Sequence, residues 1–184
     1  MAITLEELHA LASDSGLNVF VDRDRNTVLL MMQGIFGSHN TLMSVELEGQ
    51  FFQIRTLGAL YCPADHPNWS AVVKLLATVN YQTRFVKFGW DPSDGEINAA
   101  GDVWIMDGTL TAKQFERIRL NFFPIIDLNF QRLRLTMDTG QDPGDDVGNL
   151  PGASGIAGLL EHLPPDVRAK LKALIDEDDE PPEI

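Results

Sequence analysis

Cysteine is nearly missing from this chain: Cys62 is the single one in 184 residues. That excludes an internal disulfide and a cysteine-based zinc site, and it fits a reducing compartment. Basic residues are also scarce, with 14 Lys and Arg against 27 Asp and Glu and a formal net charge of −13. Nucleic-acid affinity depends on Lys and Arg displacing condensed counterions, so DNA and RNA are not expected partners. No apolar run reaches membrane-spanning length, and Met1-Ala2-Ile3-Thr4-Leu5-Glu6-Glu7 carries acids where a secretory signal carries bases. A soluble cytoplasmic protein without a membrane partner is expected.

Motifs for chemistry are missing as well. His9, His39, His66 and His162 are scattered, without the i, i+4 spacing that places two ligands on one helical face, and are expected in surface or capping roles. Gly34 to Gly37 and Gly152 to Gly158 are glycine-rich but match neither the dinucleotide nor the P-loop spacing; they read as a loop leaving a strand and a linker. Cys62 lacks an evident activating base and reads as a buried thiol. Asp22-Arg23-Asp24-Arg25-Asn26 imitates the first half of an EF-hand loop. Thr27 and Gln33 stand where the loop needs its glycine and its bidentate glutamate, so a hairpin tip is expected. No catalytic, cofactor-binding or metal-ligating residue is assigned, and no cofactor is expected.

The charge that is present is uneven. Residues 1 to 137 hold 15 acidic and 11 basic side chains, net −4, whereas residues 138 to 184 hold 12 and 3, net −9. Arg117, Arg119, Arg132 and Arg134 alternate with Leu and Asn and read as a solvated helix face.

Periodicity supplies the architecture. Thr4 with Glu7 and Thr111 with Gln114 fit capping boxes at helix starts. Leu17 to Asp22 and Thr27 to Gln33 read as strands joined by a polar turn, and the stretch Leu42 to Tyr61 supplies more strand with a turn at Glu48-Gly49-Gln50. Trp69, Val72, Val73, Leu76 and Val79 share one face of a helix opened by Asp65-His66-Pro67, and that helix is expected to pack on the sheet. Strands Arg84 to Trp90 and Glu96 to Met106 flank an Asp94-Gly95 turn. A last helical stripe, Phe115, Ile118, Phe122 and Ile126, is expected to be interrupted near Pro124. The order is α, several β, α, β-hairpin, α.

Leu75-Leu76-Ala77-Thr78-Val79-Asn80, then Phe85 to Phe88, Asp94-Gly95-Glu96-Ile97 and Leu110-Thr111 with Phe115 resemble the YbjN-like family, described as bacterial sensory-transduction regulators. Tyr81-Gln82-Thr83 departs from it where the family often carries a second Asn. The resemblance implies a type III secretion chaperone-like fold: an α+β two-layer sandwich with helices packed on one face of an antiparallel sheet. It also implies a domain that is often dimeric, handles other proteins and has no known chemistry.

Three parts are expected: a YbjN-like domain over 1–137, a flexible linker over 138–155, and a short amphipathic helix with an acidic tail over 156–184. The linker is Gly-, Asp- and Pro-rich and buries too little to offset its ordering entropy. The functional expectation is a non-enzymatic, chaperone-like or regulatory protein-interaction domain, acting as a homodimer on a protein partner of unknown identity. Trp90 and Trp104, candidate cross-strand neighbours, and Val167, Leu171 and Leu174 of the last helix are the candidate interface. The alternative is a metal- or small-molecule-responsive sensor or enzyme using Asp22 to Asn26 or the carboxylates Asp91, Asp94, Glu96, Asp102 and Asp107.

Overall fold

Among the described residues, Thr4 and Thr111 set the starts of two of the three α-helices. The Thr4 hydroxyl accepts from the Glu7 backbone at 3.2 Å while the Glu7 carboxylate accepts from Thr4 N–H at 2.8 Å. Thr111 and Gln114 repeat the exchange at 3.2 and 2.9 Å. Each exchange satisfies two of the N–H groups that a helix start leaves without partners.

A computed structural model of the chain describes residues 2–106 and 108–144. Its helices are α1 (Leu5–Asp14), α2 (Trp69–Gln82) and α3 (Ala112–Thr139). Its strands are β1 (Val19–Asp22), β2 (Thr27–Gln33), β3 (Ser38–Glu46), β4 (Phe51–Thr56), β5 (Leu60–Tyr61), β6 (Lys87–Trp90) and β7 (Glu96–Trp104). All pairings are antiparallel and form a single sheet of seven strands. β1, β2, β3 and β4 follow one another, and β7 lies beside β4. Ala100 faces both Arg55 and Lys87, and Ile97 faces both Leu60 and Trp90. Hence β4 and its continuation β5 line one side of β7, and β6 lines the other.

The alternation of strand residues decides which face is covered. Val28, Leu30, His39, Thr41, Met43, Val45, Phe52, Ile54, Ile97 and Ala99 point to one side and are buried. The helices lie against that side with Leu8, Val72, Leu75, Val79, Phe115, Phe122, Ile126, Phe130 and Leu133. Burying a side chain of this size contributes roughly 1.5–3 kcal/mol. The expected α+β architecture, helices on one face of an antiparallel sheet, is what forms. No helix among the described residues is long and apolar enough to cross a membrane.

Six local expectations need correction. β1 starts at Val19 and β6 at Lys87, later than Leu17 and Arg84, and β7 stops at Trp104 rather than Met106. β3 starts at Ser38, before the apolar run begins, because its pairing with β2 is continuous from Gln33↔Ser38 to Thr27↔Ser44. α2 begins at Trp69 after Asn68, not at Asp65 to Pro67. Pro124 does not interrupt α3, which runs through it. An interior proline costs about 3 kcal/mol through its missing N–H and ring clash. Here its ring is exposed while Phe122, Phe123, Ile126 and Phe130 are buried around it, so packing outweighs that penalty.

The compact unit extends to Asp142. Arg132, buried in α3, holds Asp142 through two parallel hydrogen bonds of 2.6 and 2.7 Å. Gly140 closes the helix in the left-handed conformation at φ 73°, its N–H bonded to Thr136 O. The expectations for 145–184, including Val167, Leu171 and Leu174, lie outside the described residues.

Candidate functional site

An open sheet has two edges and two faces, and here they are treated unequally. At the β6 edge, Asn80 near the end of α2 accepts from Phe88 N–H at 2.7 Å and donates to Phe88 O at 2.8 Å. The amide side chain thus pairs with both backbone groups as a neighbouring strand would. The Thr83 hydroxyl donates to Val86 O at 2.6 Å, and the Lys87 ammonium donates to the carbonyls of Asn80 and Thr83. This edge is closed by its own preceding helix.

Among the described residues the β1 edge has no such cover. Its inner side pairs with β2 from Val19↔Leu30 to Asp22↔Thr27, and no hydrogen bond among the described residues reaches its outer side. Phe20 on this strand is 68% exposed. The register carries an apolar row from Phe20 across the uncovered face to Leu29 and Leu42, with Met31 beside it at 70% exposure. Arg55, Ala100 and Lys87 continue the row on β4, β7 and β6.

The two tryptophans of the sequence-based interface are not neighbours. Trp90 pairs with Ile97 and Trp104 with Phe51, at opposite ends of β7. Their separation follows from their places along the hairpin: Trp90 is the last residue of β6, beside the turn, whereas Trp104 is the last residue of β7, at its far end. Trp90 is half-buried, packs edge-on to Trp69 at 5.4 Å and donates from its indole to Cys62 O at 2.9 Å. Trp104 is 63% exposed and packs at 4.9 Å against Phe51 with the two rings tilted by 57°.

Of the carboxylates suggested for acid-base or cation chemistry, Asp22, Asp91, Asp94, Glu96 and Asp102 are engaged locally. Asp91 accepts from the amide and hydroxyl of Ser93, which hold its pKa below the usual carboxylate value. Asp94 accepts from Glu96 N–H, Glu96 from Gly58 N–H, and Asp102 from the Gln53 amide. Asp107 lies outside the described residues. Asp22 accepts from Arg25 N–H, and Asn26 donates to Val45 O. Among the described residues no three His, Cys, Asp or Glu side chains converge to hold a metal. Cys62 is buried, and burial pushes its thiol pKa up.

One histidine was misplaced by the sequence reading. His39 lies in the core on β3, 1% exposed, with Nε2 2.9 Å from Asp127 Oδ1 and its ring 5.6 Å from that of Phe130. Asp127, buried in α3, also accepts from Ile35 N–H at 2.6 Å and Phe36 N–H at 3.2 Å. A buried carboxylate needs such donors, and here they come from the Gly34 to Gly37 loop. A Cβ on Gly34 would sit 2.2 Å from Asp127 Oδ1, so that position requires glycine. The available signal was an aspartate inside the apolar stripe of α3, between Ile126 and Phe130.

The family model described as "Putative bacterial sensory transduction regulator", YbjN, matches residues 4–133. No curated protein matches the chain. The crystal structure of YbjN from E. coli is similar in fold at 16% identity and a TM-score of 0.54, covering 71% of this chain and 90% of that one. A chain of the HopA1–SchA chaperone–effector complex aligns at 11% identity and a TM-score of 0.45, covering 71% and 89%. The matched span takes in the elements from α1 through most of α3, with the capped β6 edge and the Asp127 clamp, and on it the chain belongs to the YbjN family.

Proposed function

We propose that this chain is a non-enzymatic, regulatory or chaperone-like protein-interaction domain that works in the cytoplasm as a homodimer. The observation that carries the reading is the contrast between the two sheet edges among the described residues: β6 is sealed by Asn80, while β1 is open beside the exposed Phe20 and Met31 and the half-buried Leu29 and Leu42. An unpaired edge next to apolar surface is a template for strand addition. Pairing β1 with β1 of a second copy about a twofold axis satisfies both edges and brings the two Phe20 side chains together. Membership in a family of regulators supports a role exercised through partners.

Light scattering on the full chain tests this. A mass of two chains is expected, falling to one chain in Phe20→Lys, because lysine at a two-fold edge sets like charges side by side. Phe20 is exposed, so the variant is expected to fold normally. A strictly monomeric native chain, or a dimer that Phe20→Lys leaves intact, counts against the proposal.

A further inference from the structure

Leu47 and Met106 occupy backbone conformations that bulky residues avoid. Their φ angles are 49° and 54°, and Glu48 and Gly49 follow Leu47 at 56° and 87°. The left-handed region crowds a side chain against its own backbone, so glycine or asparagine is the least strained occupant. Strain of this kind persists where the surroundings hold it and the position has a use. The core makes little use of either side chain, since Leu47 is 60% and Met106 55% exposed.

Both residues stand at one corner of the sheet. The register runs Glu46↔Phe51↔Trp104, and Gln50 O accepts from Ile105 and Met106 N–H at 2.8 and 3.3 Å. The corner therefore carries Leu47, Phe51, Trp104 and Met106, with the Phe51 and Trp104 rings packed at a tilt of 57°. Its surroundings are acidic. The adjoining cleft, about 680 Å³, is lined by Glu6, Glu46 and Glu48 against a single guanidinium, Arg23. Asp102, exposed, shares the open face with Trp104.

We infer that this corner is the docking site for a cationic, apolar segment of a partner protein, with Trp104, Leu47 and Met106 as its apolar anchors and Glu46, Glu48 and Glu6 facing the partner's Lys or Arg. Charge complementarity selects this occupant: a second copy of the chain would set one acidic rim against another. The assignment rests on the interaction reading above and names the chemistry of the partner.

The test is fluorescence anisotropy of labelled short amphipathic peptides with the full chain. A Lys/Leu peptide is expected to bind, with Glu/Leu and Lys/Ser peptides of the same pattern about tenfold or more weaker. Trp104→Ala, Leu47→Gly and Met106→Gly are expected to weaken the Lys/Leu peptide by about tenfold, the scale of an anchor residue. Thermal melting of Leu47→Gly is expected at or above the native midpoint, because glycine relieves the left-handed φ, so lost binding with a retained melt separates anchoring from folding. Equal binding of Lys/Ser, no binding of Lys/Leu, or native affinity in Leu47→Gly and Trp104→Ala overturns the assignment. A dimer broken by Trp104→Ala but not by Phe20→Lys gives this corner to a second copy and also overturns it. Failure of the peptides beside a Phe20-dependent dimer removes the corner alone, whereas failure of both removes the interaction reading.

Discussion

Asn80 imitates a β-strand toward Phe88, accepting from its N–H at 2.7 Å and donating to its carbonyl at 2.8 Å. The amide is the only neutral side-chain group that carries donor and acceptor in the right spacing for this. It belongs to the helix that precedes β6, so the edge is sealed as soon as the helix docks.

Replacing Asn80 by Ala leaves both Phe88 groups without partners. The expected loss is about 1–3 kcal/mol, the usual cost of stranding buried or half-buried polar groups. Urea unfolding should show it as a lower midpoint with an unchanged slope. Light scattering should also show association above that of the native chain as concentration rises, because another edge has opened. A native midpoint would mean that water replaces the side chain without loss.

Asp127→Asn keeps one oxygen for the Ile35 or Phe36 amide but turns an NH₂ toward a remaining donor. Bonds to a charged acceptor are each worth about 1.5–3 kcal/mol, and a destabilisation of that order is expected. Hydrogen exchange at Ile35 and Phe36 should speed up before the rest of the sheet opens. If those amides keep native protection in the variant, the carboxylate does not hold the loop.

Gly101 lies under the ring of Phe85, and a Cβ there would come within 2.4 Å of Cζ. Gly101→Ala is expected to cost about 1–3 kcal/mol by overpacking. Combining it with Phe85→Leu should recover part of the loss. Additive penalties in the double variant would point away from a clash between these two residues.

The Asp91 carboxyl should titrate below the usual carboxylate range in a carbon-detected NMR titration, because Ser93 hydrogen bonds favour its charged form. A depressed folded-state value means that its contribution to stability is present above the unfolded value, near 3.9, and is lost as pH falls through the folded value. Ser93→Ala removes the hydroxyl bond and should move the midpoint upward while the Ser93 amide bond remains. A midpoint that stays in place would assign the shift to the loop backbone instead.

Much of the architecture was legible in local pattern. The capping boxes at Thr4 and Thr111 formed as read, and so did the strand Thr27 to Gln33 and the Val72, Leu76, Val79 face, because each depends on neighbours within a few residues. Pro124 was misjudged for the opposite reason. Its local effect is unfavourable, and only the burial of Phe122, Phe123, Ile126 and Phe130 against distant strands overrides it. His39 failed in the same way: its partner Asp127 is 88 residues away, and nothing in the sequence around either reports the other.

The interface was legible only in part. Aromatics on the Asp94-Gly95 hairpin drew attention to Trp90 and Trp104 together, yet residue type does not say which end of β7 each occupies or which side is covered. By itself the sequence determined the starts of α1 and α3, the strand alternation and an acidic, nearly cysteine-free composition, since those follow from short-range bonding and side-chain chemistry. Tertiary structure alone decided that one edge is closed and the other open, that Asp127 ties the glycine loop to α3, and that Trp104 faces solvent while Trp90 packs inward. Each depends on contacts between segments far apart in the chain, whose geometry exists only once the helices have chosen a face of the sheet.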